Sequence, residues 1–280
     1  MYIPEIPLAD WIDSGVDFLV VKFGLFFDFI SFCLSWFVDL FVLALGAVHP
    51  LLLIAAIALI AYALSSWKAA LFTAAGLLLI YNLGYWTGMI DTLALVLTSV
   101  VISIIVGVPV GIWMSQSDGA QRVITPVLDF MQTMPAFVYL IPAILFFGIG
   151  LVPGIISSVI FAMPPTIRLT NLGIRQVPED LVEAADAFGS TEMQKLFKVQ
   201  LPLAMSTIMA GINQSIMLSL SMVVTASLVG APGIGADVYR AVTQVKVGLG
   251  FEAGLAIVIL AMILDRLSQN IGLKRKKRSA

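Results

Sequence analysis

Two stretches of this chain, residues 130–167 and 203–236, contain no aspartate, glutamate, lysine or arginine. A membrane-crossing helix needs about 20 mostly apolar residues, so each stretch is long enough to enter a bilayer. Composition extends the restriction to the whole chain. Apolar residues make up 60% and charged residues 11%, with a mean hydropathy of +1.04, whereas a soluble domain carries about 25% charged residues. A water-soluble fold is excluded, and the expected class is an all-α polytopic membrane protein. One cysteine, Cys33, and one histidine, His49, leave no disulfide, thiolate cluster or histidine metal site to expect. The N-terminal MYIPEIPLADW is acidic where a signal peptide is basic, so the N-terminus is expected to stay uncleaved.

The first forty-odd residues are apolar with a polar stripe. At about 100° per residue, Asp10, Asp13, Ser14, Asp17, Asp28, Ser31, Ser35 and Asp39 fall on one narrow arc, and Trp11, Phe18, Phe23, Phe26 and Trp36 fall outside it. That pattern predicts two amphipathic helices lying in the membrane interface, with Gly24 as the break. The competing reading is a span over 24–47. Candidate spans follow at 51–64, 69–81, 92–114, 128–147, 153–167, 203–229 and 253–264, with a loop from 230 to 251.

Between two of these spans lies VEAADAFGSTEMQKLFKVQLPLAM, a charged island in apolar surroundings. Pro178 suits a first helical position, and Glu179 and Asp180 suit the positive end of the helix dipole. Leu181, Ala184, Ala185 and Phe188 form an apolar face at i, i+3, i+4 and i+7. Gly189 supplies a left-handed stop, Ser190 is positioned to cap a second helix, and Pro202 opens the next span. Such a helix either docks in a groove of a soluble partner or packs on its own protein. Placing the island in the cytoplasm puts Lys68, Arg122, Arg168, Arg175, Lys195, Lys198, Arg266 and the KRKKR tail on that side. That is twelve of the fifteen basic residues, the asymmetry expected of a cytoplasmic face.

Glu183, Ala184, Ala185 and Gly189, followed by Leu201-Pro202, resemble the EAA loop of binding-protein-dependent ABC importer permeases. QTMPAFVYLIPAILFFGIG at 132–150 and PPTIRLTNLGIRQVPEDLVEAA at 164–185 are similar to the permease subunits of glycine betaine/proline betaine importers. The resemblance implies a type I ABC importer permease fold with about seven transmembrane helices after the N-terminal amphipathic helices. It implies segments at 1–48 (interfacial), 49–90 (peripheral spans), 91–270 (core, with a coupling loop at 172–202) and 271–280 (basic tail). It implies a bacterial cell membrane location with a cytoplasmic C-terminus. The expected partners are a second copy of the chain, two ABC ATPase subunits, an extracytoplasmic binding protein and membrane lipid, with no nucleic acid. The coupling role falls on Glu183, Ala184, Ala185, Gly189, Leu201 and Pro202. No GxxxxGK[ST] motif occurs, so ATP and Mg are expected on the partner ATPase; the chain is expected to be a non-enzymatic subunit without cofactor.

The two charge-free stretches offer no ionisable group for proton or sodium coupling, which a secondary carrier needs. Their polar and aromatic groups, Gln132, Met134, Phe137, Tyr139, Asn213, Gln214 and Ser215, are the candidates to line a solute path, and each is equally suited to helix packing. Lys274, Arg275, Lys276, Lys277 and Arg278 form a cluster suited to anionic lipid. Three functions follow: import of glycine betaine or a related compatible solute; an ABC permease for another solute such as choline, carnitine or an amino acid; and a secondary carrier or scaffold without an ATPase.

Overall fold

A computed structural model describes the backbone of residues 7–278 and the side chains of Pro7 and 10–269. Among the described residues all regular structure is helical. The basic side chains Lys274, Arg275, Lys276, Lys277 and Arg278 lie outside the described residues. In chain order the α-helices are α1 (Leu8–Gly46), α2 (Pro50–Leu64), α3 (Trp67–Asn82), α4 (Trp86–Gln116), α5 (Asp118–Thr133), α6 (Leu140–Phe147) and α7 (Leu151–Arg175). They continue with α8 (Glu179–Ala187), α9 (Glu192–Lys195), α10 (Leu201–Ser227), α11 (Ile234–Thr243) and α12 (Val247–Arg278). A 3₁₀ turn, Ala136–Tyr139, precedes α6, and a π turn, Leu196–Gln200, joins α9 to α10.

The core is the packing of α7 between α4 and α10, and small residues make it possible. Without a hydrophobic drive between helices in lipid, close backbone approach supplies the association. A Cβ at Gly111 of α4 would lie 2.6 Å from Thr170 Cβ and 2.7 Å from the Ile167 carbonyl of α7. A Cβ at Gly211 of α10 would lie 2.9 Å from the Pro165 carbonyl. α7 stays helical through Pro164-Pro165, where the proline rings disturb the hydrogen-bond ladder. Ser215 of α10 reaches into that turn: it donates to the Ala162 carbonyl (2.5 Å) and shares a hydrogen bond with Thr166 Oγ1 (2.7 Å). Side-chain hydroxyls of a neighbouring helix are one way such a break is tolerated at membrane depth.

These contacts give the bundle two ends. At one, Tyr85, Gly150 and the Gly233–Ile234 corner meet Leu249, Val229 and Thr92 respectively; the Ile234 amide donates to buried Thr92 Oγ1 (2.9 Å). At the other, Gly173 of α7 abuts Ala204 and Thr207 of α10, and the charged island hangs below. α2 and α3 form a side hairpin, with Gly76 against Ile259 of α12.

Five helices, α1, α4, α7, α12 and the α9–α10 rod, are long and apolar enough to cross a membrane among the described residues; α5 and the α6 segment pass the same test only together, as a bent pair that is a broken span or a re-entrant loop. That break corrects the expected span over 128–147. The helix axes before and after Met134-Pro135 differ by 107°, because a residue preceding proline is pushed out of the helical region and Met134 is extended at ψ 136°. The expected break between two N-terminal helices is present within α1: Phe23, beside Gly24, is non-helical at φ −114° and ψ 16°, and the two halves meet there at a kink. The expected loop from 230 to 251 contains α11, whose N-terminus is held by Thr92, far away in sequence. The spans at 92–114, 153–167 and 253–264 are extended at one or both ends, since their flanking polar residues continue the helices.

Candidate functional site

The island folds as two short helices around a left-handed glycine. Gly189 sits at φ +76°, its amide donates to Asp186, and the Ser190 amide donates to Ala185. That pair of bonds is a Schellman stop, which uses the αL region open to glycine. The second helix is capped by Thr191, not Ser190: Thr191 Oγ1 accepts from the Gln194 amide, and Gln194 Oε1 accepts from the Thr191 amide. A hydroxyl three residues before Gln194 closes this reciprocal box and Ser190 is one residue too far. Lys195 Nζ then bridges back across the glycine to Asp186 at 3.0 Å, and also reaches Glu192.

On this scaffold the four apolar residues divide. Ala185 is 8% exposed and faces the protein, whereas Phe188 is 91% and Leu181 42% exposed. Ala184 and Gly189 are also exposed. A phenyl ring this open leaves α8 with an uncovered apolar face. Glu183 lines a recess of about 210 Å³ together with Ser115, Arg175 and Gln200. The recess separates α8 from the ends of α4 and α7. Leu201 and exposed Pro202 follow directly, in the first turn of α10.

Arg175 ends α7 by tying three segments together. Its Nε donates to Asn171 (3.1 Å), and one terminal nitrogen donates to the Met114 carbonyl (3.0 Å) and to Asp118 (2.7 Å). Gln116 and Gln200 share a longer bond, 3.4 Å. The base to which the island is attached is therefore cross-linked to α4, α5 and α10.

The candidate path residues divide between packing and exposed surface. Tyr139 is buried; its phenol donates to the Met131 carbonyl, and the Ser157 hydroxyl of α7, 2.7 Å from the Pro153 carbonyl, also lies 3.3 Å from the Tyr139 carbonyl. It fixes the bend between α5 and α6. Asn213 is held by α12: its amide donates to Asp265 Oδ1 (2.9 Å) and its oxygen accepts from Ser268. Ser215 is engaged with α7, as described above. Gln132, Phe137 and Gln214 are exposed, and Met134 is half-buried. Along α10, Leu203, Ser206, Ala210, Gln214, Met217 and Ser221 are all exposed at helical spacing, so one stripe of this helix is uncovered over most of its length.

Sequence reasoning did not find the Arg175 junction, the Thr191 cap or the Asp265 partner of Asn213. The Met134-Pro135 dipeptide signals the bend on its own, and the Thr191-x-x-Gln194 spacing signals the capping box; the Arg175 junction and the Asn213–Asp265 pair join residues that local sequence does not connect.

The profile of the family described as "Binding-protein-dependent transport system inner membrane component" matches residues 99–276. The chain is 62% identical to the glycine betaine transport system permease protein OpuAB of Bacillus subtilis, over 99% of this chain and 98% of that protein. It is 57% identical to the glycine betaine/carnitine transport permease protein GbuB of Listeria monocytogenes, over 98% of each. To the glycine betaine/proline betaine permease protein ProW of Escherichia coli it is 47% identical, over 98% of this chain and 77% of that one. Among solved structures it is similar to a chain of the inward-facing MetNI methionine ABC transporter, with TM-score 0.61 and 22% identity over 66% of this chain and 93% of that one. The two share the type I ABC importer permease fold.

Proposed function

The chain belongs to the binding-protein-dependent transport system inner membrane component family, and from that premise we propose that it is the membrane subunit of an ATP-driven importer of glycine betaine or related compatible solutes. The observation that carries this reading is the uncovered apolar face of α8, with Phe188 91% exposed, on a helix that the Asp186–Lys195 pair ties to α9. An exposed aromatic on a rigid helix suits the anchor of a docking hot spot, which supports docking on a partner over packing on the chain itself. That partner is an ABC ATPase, which supplies ATP and Mg. Glu183, Ala184, Ala185, Gly189, Leu201 and Pro202 form the coupling element, in which Ala185 seats the helix and Gly189 sets the turn. The complete importer contains two copies of this chain, two ATPases and an extracytoplasmic binding protein, and the C-terminus is cytoplasmic.

The substrate class follows from charge. Glycine betaine joins a permanent cation to a carboxylate and carries no net charge, so it avoids the cost of carrying an unpaired ion through low dielectric. The uncovered stripe of α10 offers an amide, hydroxyls and a thioether, and no carboxylate. Asp129 is matched by Arg168 at 2.5 Å, and Asp265 is held by Asn213 and Gln269.

α1 lies in the outer interface in this reading. Phe27 stacks on Phe146 (centroids 4.7 Å apart), at the end of α6 remote from the island. Gly46, nineteen residues on, leads within four residues to Pro50, where α2 starts back toward the island end. Both ends of this half of α1 thus belong to the outer side. With α2 and α3 crossing, the bundle has seven crossings, and 1–48, 49–90, 91–270 and 271–280 are its interfacial, peripheral, core and tail segments. The tail's basic residues serve anionic lipid.

Purification of the chain co-expressed with its cognate ATPase and binding protein tests the assignment. A stable complex of two permease chains with two ATPases is expected; a chain that purifies without any ATPase contradicts it.

A further inference from the structure

At the bend after α5 the backbone runs out of partners. Helix C-termini leave four carbonyls without helical donors. Here the Phe130 carbonyl accepts from the Met134 amide and from Thr133 Oγ1, and the Met131 carbonyl accepts from the Tyr139 phenol. Pro135 has no N–H, and the next amide bonded across the bend, Val138, donates to Pro135. The carbonyls of Gln132, Thr133 and Met134 therefore accept nothing from the described residues.

The depth of this bend follows from its braces. The Ser157 hydroxyl of α7 lies 3.3 Å from the Tyr139 carbonyl, and Arg168 of α7 holds Asp129. Between these two positions, Ala162 and Thr166 meet Ser215. The bend thus lies between the Asp129–Arg168 pair and the level of Ser157, beside the middle of α7. Unpaired carbonyls at that depth cannot face hydrocarbon; irregular backbone is tolerated there only inside protein or on a water-filled cavity. The same bend exposes Phe137 to 59%, and the neighbouring stripe of α10 exposes Gln214 and Met217.

We infer that this bend is a subsite for the trimethylammonium group of the solute, formed by the carbonyl oxygens of Gln132, Thr133 and Met134 and the ring of Phe137. A quaternary ammonium has no N–H to donate, so it is recognised by electron-rich surfaces alone: carbonyl oxygens and aromatic faces. The α5 C-terminus adds the negative end of its dipole. No free carboxylate is present, since Asp129 is paired with Arg168. The cationic head is therefore held weakly enough to leave, and a solute that brings its own carboxylate needs no counter-charge from the protein. This inference rests on the compatible-solute reading above and assigns it a place in the path.

The test uses the complete complex in proteoliposomes and reads radiolabelled glycine betaine taken up per ATP hydrolysed, for Phe137→Leu, Phe137→Tyr and Phe137→Trp. The ring's cation–π contribution corresponds to about a two- to fivefold effect at a partly hydrated site. Phe137→Leu is expected to lose that factor in uptake per ATP hydrolysed, and the tyrosine and tryptophan variants are expected to keep the wild-type ratio. A ring that acts only by filling space is replaced by leucine without loss, so equal uptake by Phe137→Leu and wild type overturns the subsite. Phe137→Met supplies a second apolar replacement if the leucine variant fails to assemble. Wild-type complex that takes up no glycine betaine overturns the functional reading itself, and the subsite with it.

Discussion

Arg175, the last residue of α7, lies 2.7 Å from the carboxylate of Asp118, the first residue of α5. The same guanidinium nitrogen reaches the carbonyl of Met114, in the last turn of α4. Asp118 is 74% exposed, and exposed pairs contribute about 0–1 kcal/mol. The bond to the Met114 carbonyl is the stronger element, since hydrogen bonds to charged groups contribute about 1.5–3 kcal/mol. Arg175→Ala is expected to destabilise the purified protein by roughly 2–3 kcal/mol, Asp118→Ala by under about 1 kcal/mol, and Arg175→Lys by an intermediate amount, because lysine keeps the charge and loses the fork. Thermal unfolding in detergent measures all three; equal losses for Arg175→Ala and Asp118→Ala would show that the Met114 bond contributes nothing.

The glycine contacts between helices give a sharper contrast. Gly111→Ala places a Cβ 2.6 Å from Thr170 Cβ, and overpacking of this kind costs about 1–3 kcal/mol. Gly254→Ala on α12 meets nothing within 4 Å and is expected to be neutral or to stabilise by up to about 1 kcal/mol through helix propensity. Melting temperatures that fall equally in the two variants would refute the close-packed α4–α7 contact.

On α8 the inward and outward residues are expected to fail differently. Phe188→Ala removes an exposed ring, so it is expected to leave the melting temperature unchanged and weaken ATPase binding by roughly 2 kcal/mol or more, about 30-fold in Kd. Ala185→Asp buries a carboxylate under the helix and is expected to lower both stability and ATPase retention. Gly189→Val places a β-branched residue at φ +76°, where an L-residue is strained by about 1–2 kcal/mol, and is expected to reduce transport with the spans intact. Affinity of purified variants for the ATPase separates them; wild-type affinity in Phe188→Ala would remove the docking role of this face.

Much of this arrangement is legible in the sequence because it is local. Pro178, the paired acids after it, the 3–4 spacing of apolar residues and Gly189 specify α8 and its stop without reference to anything distant. The charge-free stretches likewise mark α7 and α10. The division of α8 into a seated Ala185 and an open Phe188 is not local, since the spacing gives a face and only the packing of the bundle says which edge of it is covered. Asn213 and Ser215 show the same limit: an amide and a hydroxyl on an apolar helix are suited to a path or to packing, and the decision was made by Asp265, Ser268, Ala162 and Thr166 on other helices. α11 was missed for a related reason, because its N-terminus is satisfied by Thr92, more than a hundred residues away.

The placement of α1 is tested by labelling. With native Cys33 replaced by serine, single cysteines at Asp28 and Asp39 are expected to react with a membrane-impermeant thiol reagent added from the outside only. Reaction of the two positions from opposite sides of the membrane would establish that α1 crosses it.

The central claim, that this chain carries a net-neutral betaine inward at the expense of ATP, is tested most directly by uptake into proteoliposomes. The complete complex is reconstituted with ATP and Mg inside and the binding protein outside, and radiolabelled glycine betaine and choline are supplied in parallel. The account predicts accumulation of glycine betaine that requires both ATP and the binding protein, with little choline taken up. Accumulation without ATP, or choline taken up in preference to glycine betaine by an assembled, ATP-hydrolysing complex, would contradict it.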